Sequence, residues 1–470
     1  MTQCEIAAQN ADLPLPESSK PLSELKAIRG VYISTYGCQM NVNDSERMLS
    51  LMEMVNFAPV DKPEEATVII INACSVREKP VQKVYSEVGR YRKLKARNPE
   101  LRIGVAGCVG QQEKENLIKN QPLIDFVFGT DNIDELPGLV RKLYETEAPT
   151  KIVEARFKHR DPYHVETLVR NPGVTTFVNI AKGCDNFCTF CIVPFTRGRE
   201  RSRPLQHIVT DVRHLVRRGV KEVTLLGQNV NSYHDDSADF ADLLAEVAVQ
   251  TDVDRIRYTT SHPKDFNQKL VDVMATHSAK ICDGIHLPFQ SGSTRVLERM
   301  NRGYSREDYL EKIAMIRKSL PNAVFSTDII VGFPGETEED FQDTMSLVKE
   351  VGFETIFAFK YSPRPFTKAA KFEDQIDDAT GSDRLARLFA MHEEMAFALN
   401  KKYENQVLPV LVEKHENGRS TGRSTQNKLV HFAGIPEDIG RIVPVRIQKA
   451  FPFAFTGERV LIHPETAVLS

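Results

Sequence analysis

The sequence predicts an α/β protein with three consecutive folded parts: an N-terminal open parallel α/β domain, a central partial (βα)6 TIM-type barrel and a C-terminal small antiparallel, OB-like β-barrel. Short apolar runs alternate with amphipathic stretches through the first two parts, which is the pattern of parallel βα units. Shorter alternating runs separated by glycines follow, and they are typical of a small antiparallel barrel. The chain of 470 residues is long enough to give each part a core.

Shifts in composition divide the chain into five segments. The expected segments are a disordered polar tail over 1–29, the α/β domain over 30–146, a connector over 147–172, the barrel over 173–402 and the small barrel over 403–468. The tail lacks the apolar core of a signal peptide, and its Glu5, Asp12 and Glu17 argue against a transit peptide. No apolar run reaches membrane-spanning length, so we expect a cytoplasmic protein without membrane contact. A net charge of −3 gives no whole-chain signal for nucleic acid.

Three of the eight cysteines, Cys38, Cys74 and Cys108, each follow a predicted buried strand and precede a helical pattern. The strands are Val31–Thr35, Thr67–Ile71 and Ile103–Ala106, and the helical patterns are Asn43–Val55, Ser75–Lys95 and Gln111–Lys119. Since the carboxyl ends of parallel strands gather along one edge, we expect these cysteines, the strand-end triad, to form a metal site. Helix N-termini also favour thiolates. The alternative is three separate buried cysteines in the core.

The central part contains six predicted βα units. The strands are Thr175–Ala181, Glu222–Gly227, Arg255–Thr260, Gly284–Phe289, Val324–Val331 and Thr355–Tyr361, and the amphipathic stretches between them include Leu205–Arg218, Phe240–Val249, Phe266–Ala275, Arg306–Leu320 and Glu338–Val351. A closed barrel needs eight units, so six predict a partial one. In such barrels the loops after the strands carry the active site.

Three further cysteines, Cys184, Cys188 and Cys191, follow the first of these strands and form the loop triad. They are separated by three residues and then by two. Iron–sulfur cubanes normally have four cysteine ligands, so three ligands leave one iron open for chemistry. A structural zinc site would need a fourth Cys or His, and the nearest histidines, His164 and His207, belong to no recognisable ligand pair. An odd number of cysteines at short spacing disfavours disulfides.

The spacing of the loop triad resembles the signature of the radical S-adenosylmethionine (radical SAM) enzymes. The strand-end triad before it and the small barrel after it resemble the methylthiotransferase family in particular. Segment Thr35–Glu46 is similar to members that act on isopentenylated adenosine in tRNA, and the likeness covers about Val31 to Leu461. Other similar stretches are Ile70–Glu78, Leu226–Tyr233, His286–Gly292 and Asp328–Thr337. The chain departs from the family pattern at Phe366, where a glycine is expected, and at Lys368, where a proline is expected.

This resemblance implies two 4Fe–4S clusters, one on each triad, together with S-adenosyl-L-methionine. The loop cluster would bind and cleave this cofactor, and the strand-end cluster would present sulfur to C2 of an adenine base. An electron donor and a sulfur donor of unknown identity are implied as well. Residues expected to contact S-adenosylmethionine are Phe190, Gln228, Asn229, Gln290, Ser291, Asp328, Gly332 and Phe333.

The implied partner is a tRNA that carries N6-isopentenyladenosine next to the anticodon. The family calls the last domain TRAM, and its Arg419 and Arg423 are expected to bind RNA. Arg197, Arg199 and Arg203, beyond the loop triad, are expected to contact RNA phosphates or the cofactor carboxylate. One alternative is a related enzyme acting on threonylcarbamoyl-adenosine in tRNA or on a ribosomal-protein aspartate, although Gln39–Asn41 argues against both. Another is an iron–sulfur scaffold or RNA-binding protein without catalysis.

Overall fold

In the computed structural model, the structure describes residues 29–75, 80–145, 150–158, 163, 167, 169–236 and 238–460. The predicted tail, except for Arg29, lies outside the described residues, as does the predicted end of the small barrel from 461 to 468. Within the described ranges, no helix is both long enough and apolar enough to cross a membrane.

The N-terminal domain is a parallel sheet with the strand order β2-β1-β3-β4-β5-β6. Its strands are β1 (Arg29–Tyr36), β2 (Phe57–Pro59), β3 (Val68–Ala73), β4 (Arg102–Ala106), β5 (Phe126–Phe128) and β6 (Ile152–Glu154). Its helices are α1 (Gln39–Glu53), α2 (Pro80–Arg90), α3 (Arg92–Arg97), α4 (Gly107–Glu113), α5 (Glu115–Asn120) and α6 (Leu136–Glu145). Strand β6 extends this sheet into the segment that the sequence assigned to the connector.

Helices cover both faces of this sheet. Met48 of α1 and Leu139 of α6 belong to one apolar cluster, and Val84 of α2 and Leu117 of α5 belong to another. All six residues of β3 are therefore buried, which explains its uninterrupted apolar run. The strand order reverses between β1 and β3, and open α/β sheets bind ligands at the carboxyl side of such a point. The turns after β1, β3 and β4 carry the strand-end triad.

The central domain follows as an open barrel of parallel strands. Its strands, with two short antiparallel pairs between them, are β7 (Thr175–Asn179), β8 (Ala181–Lys182), β9 (Arg201–Ser202), β10 (Glu222–Leu226), β11 (His234–Asp235), β12 (Ala238–Asp239), β13 (Arg255–Tyr258), β14 (Gly284–His286), β15 (Val324–Val331) and β16 (Thr355–Lys360). Its helices are α7 (Val193–Thr196), α8 (Leu205–Arg217), α9 (Phe240–Gln250), α10 (Gln268–Thr276), α11 (Thr294–Arg299), α12 (Arg306–Ser319), α13 (Glu338–Val351) and α14 (Asp378–Lys401).

The open barrel consists of two three-stranded halves, β7-β10-β13 and β14-β15-β16. A parallel bridge between Ile256 and Ile281 joins them. Apolar residues of the strands and of the surrounding helices form one large core, in which Val223, Phe289 and Phe341 are fully buried. The predicted partial barrel of six βα units is confirmed.

The C-terminal domain is a closed barrel with the order β17-β18-β19-β21-β20. Its strands are β17 (Val407–Glu416), β18 (Arg419–Arg423), β19 (Leu429–Ala433), β20 (Ile442–Ala450) and β21 (Phe455–Arg459). The predicted small antiparallel barrel is confirmed, with four antiparallel strand pairs and one parallel pair, β19–β21. Five is an odd number, and a closed ring of five strands cannot alternate in direction at every pair.

The small barrel docks on the amino ends of the central strands. Arg255, the first residue of β13, donates to the carbonyl oxygens of Pro409 and Arg423, each at 2.7 Å. Arg257 donates to the Ser424 carbonyl oxygen at 2.6 Å. These contacts place the small barrel at the end of the central barrel opposite the carboxyl-end loops that carry the loop triad.

Candidate functional site

The strand-end triad gathers at three neighbouring turns of the N-terminal sheet. Cys38 caps the N-terminus of α1, Cys74 directly follows β3, and Cys108 lies in the first turn of α4. The Cys74 thiol is in hydrogen-bond contact with the thiols of both Cys38 and Cys108. Cys74 and Cys108 are buried and Cys38 is exposed, so the group opens to the surface on the Cys38 side.

Two glycines allow this close approach of backbone segments. Gly37 has φ +135°, and a Cβ atom on it would lie 2.3 Å from the Cβ of Cys74. Gly107 has φ +78°, and a Cβ atom there would lie 2.3 Å from Oδ1 of Asn72. Any other residue at either position would therefore combine an unfavourable backbone conformation with a collision.

A buried amide network lies beneath the strand-end triad. Asn41 donates from Nδ2 to Oδ1 of Asn72 at 3.0 Å, and Asn72 donates back to the Asn41 carbonyl oxygen at 2.8 Å. The Cys38 thiol points at Asn41 Oδ1, 3.5 Å away. Both asparagines are fully buried. They fix the turn after β1 against the turn after β3, and the sequence analysis assigned them no role.

The thiols of the strand-end triad differ in acidity because they share hydrogen bonds. The hydrogen bond with Cys74 lowers the pKa of the Cys38 thiol to about 6 and that of the Cys108 thiol to about 5. The same bonds, with burial, raise the pKa of the Cys74 thiol. The Arg197 guanidinium lowers the pKa of Cys38 and Cys108 further.

The loop triad occupies one continuous segment between β8 and α7. Gly183 opens the loop at φ +82°, where a Cβ atom would lie 2.0 Å from the Arg199 carbonyl oxygen. Cys184 N donates to the Gly198 carbonyl oxygen at 3.2 Å, and Cys191 N donates to that of Cys188 at 3.0 Å. Thr189 N donates to the Met300 carbonyl oxygen at 2.9 Å, which ties the loop to the end of α11.

A buried arginine that the sequence analysis missed contacts the loop triad. Arg302 Nη1 donates to the Cys188 sulfur at 3.3 Å, and Nε donates to the Tyr304 hydroxyl at 3.0 Å. Arg302 is 6% exposed, so its charge acts on Cys188 with little screening by water. Burial raises the pKa of Cys184 to about 11 and that of Cys191 to about 12.

Both triads have the ligand chemistry of iron–sulfur clusters. Each offers three cysteines next to a buried guanidinium, which offsets the negative charge of metal-bound thiolates. In the described ranges, no group of three or more His, Cys, Asp or Glu side chains converges closely enough to hold a single metal ion. Among the described residues, each triad offers three cysteines without a fourth Cys or His, which suits a cluster with one open iron better than a structural zinc ion.

Of the polar residues expected to contact S-adenosylmethionine, Gln228 and Asn229 follow β10, Gln290 and Ser291 follow β14, and Asp328 lies within β15. Gln228 accepts from the Gly183 backbone N at 2.5 Å, so it borders the loop triad. Asn229 donates to Asp265 at 2.7 Å, while its Oδ1 is buried without a hydrogen-bond partner among the described residues. An unpaired buried acceptor of this kind suits a ligand that carries an amino group.

Other predicted contacts have structural partners. Gln290, at φ +71°, exchanges backbone hydrogen bonds with β15 at Asp328 and Ile330. Ser291 is fully buried, and Asp328 lies 3.5 Å from His286. Gly332, at φ +69°, donates its backbone N to Glu336.

The side chains of Phe190 and Phe333 share one apolar cluster, and Phe333 is fully buried within it. Tyr361 and Phe372 pack around the Phe333 ring, so a contact of Phe333 with the cofactor would be made through its backbone. Phe190 is only partly buried and stays a candidate.

A pocket of about 370 Å³ lies beside the loop triad. Its lining is polar and of mixed charge, which suits a zwitterionic ligand, and includes Asp185, Asn186, Glu200, Ser232, Lys264 and Asp265. Burial raises the pKa of Glu200 to about 7.

Two of the arginines expected to contact RNA are buried. Arg203 is 2% exposed and pairs with Asp211 at 2.6 Å. Arg197 is 3% exposed and pairs with Asp44 at 2.7 Å. Both side chains are enclosed by protein, so the structure does not favour the phosphate contacts expected for them. Arg199 remains exposed and pairs with Asp185 at 2.6 Å.

On the small barrel, Arg419 is exposed and Arg423 is half-buried. Arg423 lies 3.5 Å from Glu413.

Buried polar contacts join the N-terminal domain to the central barrel. Lys182, two residues before Cys184, forms an ion pair with Asp131 in which both side chains are about 95% buried. Arg201 lies 2.7 Å from the same carboxylate. Asn179, at the end of β7, donates to Asn43 of α1. The two triads therefore lie in domains that are joined by buried polar contacts.

Models of known families match all three domains. The model described as the radical SAM superfamily matches residues 178–348, the uncharacterized protein family UPF0004 matches 30–129, and the TRAM domain matches 401–460.

Curated relatives match nearly the whole chain. A tRNA-2-methylthio-N(6)-dimethylallyladenosine synthase of Bdellovibrio bacteriovorus is 71% identical, over 92% of this chain and 96% of the relative. One of Aquifex aeolicus, with the same name, is 43% identical over 91% of this chain and 98% of the relative. Among solved structures, the radical S-adenosylmethionine methyltransferase TsrM of Kitasatospora setae has a TM-score of 0.53 at 14% identity, covering 73% of this chain and 75% of that one. This last likeness concerns the fold alone.

Proposed function

Because this chain belongs to the radical SAM methylthiotransferases of the tRNA-2-methylthio-N(6)-dimethylallyladenosine synthase family, we propose that it adds a methylthio group to C2 of N6-isopentenyladenosine in tRNA. Radical SAM enzymes use S-adenosylmethionine and a 4Fe–4S cluster. We assign that cluster to the loop triad and a second one to the strand-end triad. The related activities on threonylcarbamoyl-adenosine and on a ribosomal-protein aspartate are not favoured.

One observation carries the two-cluster assignment. Two separate three-cysteine groups lie in two domains that dock on each other, and each group has its own buried arginine. The backbone of Arg197 belongs to the domain of the loop triad, and its guanidinium reaches the strand-end triad. If the protein held a single cluster, one of these cysteine groups would bind no iron, and its buried guanidinium would have no metal-bound thiolates to offset.

When bound, the clusters would relay the electron and present the sulfur, and S-adenosylmethionine would supply the methyl group and the radical. The chain supplies binding and geometry. Gln228 accepts from Gly183 and so joins the loop triad to the end of β10, and the unpaired Oδ1 of Asn229 would accept a hydrogen bond from the amino group of the cofactor. The mixed charges around Lys264 and Glu200 complement its carboxylate and amino groups. The Gly37 and Gly107 turns hold the strand-end cysteines together.

The target carbon lies within a base that is stacked in the anticodon loop, so the base has to leave the stack before it reaches the triads. Backbone contacts to the RNA are proposed for exposed cations, Arg199 near the loop triad and Arg419 on the small barrel. Phe453, which is 79% exposed, offers a face for stacking. Clusters and reduced cysteines require a reducing compartment, so we place the enzyme in the cytoplasm, where an electron donor and a sulfur donor would serve it.

The test is anaerobic turnover of the reconstituted full chain on two tRNAs that differ only in the isopentenyl group. Mass spectrometry of the nucleosides should find the 2-methylthio product with the isopentenylated tRNA. No product with that tRNA, under conditions in which S-adenosylmethionine is cleaved, would contradict the proposed substrate. Equal product with both tRNAs would contradict the proposed specificity.

A further inference from the structure

Arg197 is buried between two domains. Its enclosed side chain does not fit the phosphate-contacting role that was expected for it. It ends α7 in the central barrel, yet its guanidinium enters the N-terminal domain. Its Nη2 lies 2.7 Å from Asp44 Oδ2 and donates to Asn41 Oδ1 at 3.2 Å. Only 3% of its surface is exposed, so a full positive charge is held in the protein interior.

The strand-end thiols face this charge directly. Arg197 acts on Cys108 through both its charge and hydrogen-bond contact, and on Cys38 through its charge. Asp44 belongs to α1 and acts on Cys108 with the opposite sign. Lys182 lies close enough to Arg197 for the two like charges to repel. The strand-end triad is thus next to a buried pair of opposite charges, one from each domain.

We infer that Arg197 is a positioning residue that raises the reduction potential of the strand-end cluster and ties that potential to the docking of the two domains. The inference rests on the proposed function, because it needs a cluster on the strand-end triad. Reduction adds one negative charge to a group already held by three thiolates. A buried cation stabilises that added charge, since net charge and hydrogen bonds to sulfur set cluster potentials.

The Arg197–Asp44 pair allows a test of the direction in which each substitution shifts the reduction potential. Replacing Arg197 by glutamine removes the cation and should make reduction harder. Replacing Asp44 by asparagine removes the anion, leaves the cation in place and should make reduction easier. If the ion pair served only to hold the domains together, both substitutions would break the same contact, and both would shift the potential in the same direction or not at all.

The experiment uses the full chain with Cys184, Cys188 and Cys191 replaced by alanine, so that only the strand-end cluster contributes. Iron content and an anaerobic redox titration followed by electron paramagnetic resonance are measured for this parent and for its R197Q, D44N, R197K and R199Q derivatives. R199Q is the matched control, because Arg199 is two residues away, exposed and paired with Asp185.

We expect R197Q to lower the equilibrium constant for reduction at least tenfold, which corresponds to about 59 mV for one electron. D44N should shift the potential in the positive direction, R197K should lie between the parent and R197Q, and R199Q should match the parent. Shifts of the same sign in R197Q and D44N, or no shift in either, would overturn the inference.

Failure of the proposed function gives a different result. A parent protein that binds no iron would refute the second cluster itself, before any potential is measured. If R197Q alone fails to hold iron, the sign of the D44N shift decides. If D44N also fails to hold iron, the R197K variant decides. Lysine keeps the positive charge but lacks the planar fork of the guanidinium. A reduction potential of R197K equal to that of the parent would then overturn the role of the guanidinium.

Discussion

The two cysteine triads offer the same ligands, but the chain builds them in different ways. The loop triad lies within one segment of eight residues and is tied to its own domain by Arg302. The strand-end triad collects one cysteine from each of three turns between Cys38 and Cys108 and receives its guanidinium from the other domain. The first is therefore set by local sequence, whereas the second exists only after the sheet has formed.

The two triads also differ in what sets the pKa values of their thiols. Burial dominates at the loop triad and raises the pKa values of Cys184 and Cys191. At the strand-end triad, hydrogen bonds with Cys74 and the charge of Arg197 lower the pKa values of the exposed Cys38 and the buried Cys108. The fold thus favours the thiolate form of these two cysteines, and Arg197 of the docked central domain contributes to that effect.

Removal of either triad should produce the largest effect. Replacing Cys38, Cys74 and Cys108 by alanine should abolish methylthiolation but leave some cleavage of S-adenosylmethionine, because the loop triad has its own ligands on another domain. About four irons per chain should remain on cubane stoichiometry. Nucleoside analysis, cofactor cleavage and iron determination on the same preparation measure the three quantities.

The reciprocal variant is the control for this separation. Replacing the three loop cysteines by alanine should also leave about four irons but remove cofactor cleavage. Loss of all iron in either variant, in protein with the circular dichroism of the parent, would mean that the triads share one site.

The same difference explains what the sequence could and could not predict. The loop triad could be predicted from the spacing of its cysteines alone. The strand-end triad could be predicted from three apolar strands, each of which is followed by a cysteine. Arg302 was missed because it lies 114 positions from Cys188, and no local pattern connects them. Arg197 was assigned to RNA because a run of arginines normally lies on a solvated surface. Only the docking of the two domains reveals that it is enclosed.

Two of the elements that were missed, α14 and β18, lack apolar periodicity. Helix α14 spans 24 residues, but its buried positions include Arg384, His392 and Asn400 instead of an apolar stripe. Arg384 pairs there with Glu336 at 2.9 Å. Strand β18 has small polar residues inside the barrel, among them the fully buried Ser420. In contrast, β15 alternates strictly between partly and fully buried residues, and its predicted bounds, Val324–Val331, are confirmed.

Substitution of Gly37 by alanine should damage the assembled site and spare the local one. The new Cβ atom would lie 2.3 Å from that of Cys74 at a φ of +135°, so the Cys38 turn has to move. We expect about half of the iron to be lost and cofactor cleavage to persist. Gly138→Ala on α6 is the matched control, since no atom lies within 4 Å of its added Cβ. Full iron content in Gly37→Ala would show that the close approach is not required.

Weakening the domain interface should have a smaller, graded effect. Asp131→Asn leaves Lys182 buried without its ion-pair partner, and removal of one partner of a buried pair costs about 3–5 kcal/mol. The midpoint of urea unfolding should fall accordingly, and the strand-end cluster should lose iron before the loop cluster.

Asp134→Asn is the control for the interface variant. Asp134 pairs with Arg47 but its side chain is 51% exposed, and exposed pairs contribute about 0–1 kcal/mol. Equal effects of the two substitutions would contradict a stabilising role for the buried pair.

The smallest expected effect is a change in tRNA affinity, because most of the arginines near the triads are engaged in contacts within the protein. Arg197, Arg203 and Arg302 are buried in protein contacts, so phosphates have to be met elsewhere. Arg419→Ala on the small barrel should lower tRNA affinity and reduce the salt slope by roughly 0.7–0.9, the value for one lost phosphate contact. Arg423→Ala should change the slope less, because Arg423 lies near Glu413 and is half-buried. Filter binding over a range of salt concentrations measures both slopes, with the iron content of each variant as the control. The small barrel docks at the amino ends of the central strands, opposite the loop triad, through Arg255 and Arg257. An unchanged slope in the Arg419 variant would therefore assign this domain to stabilising the central barrel.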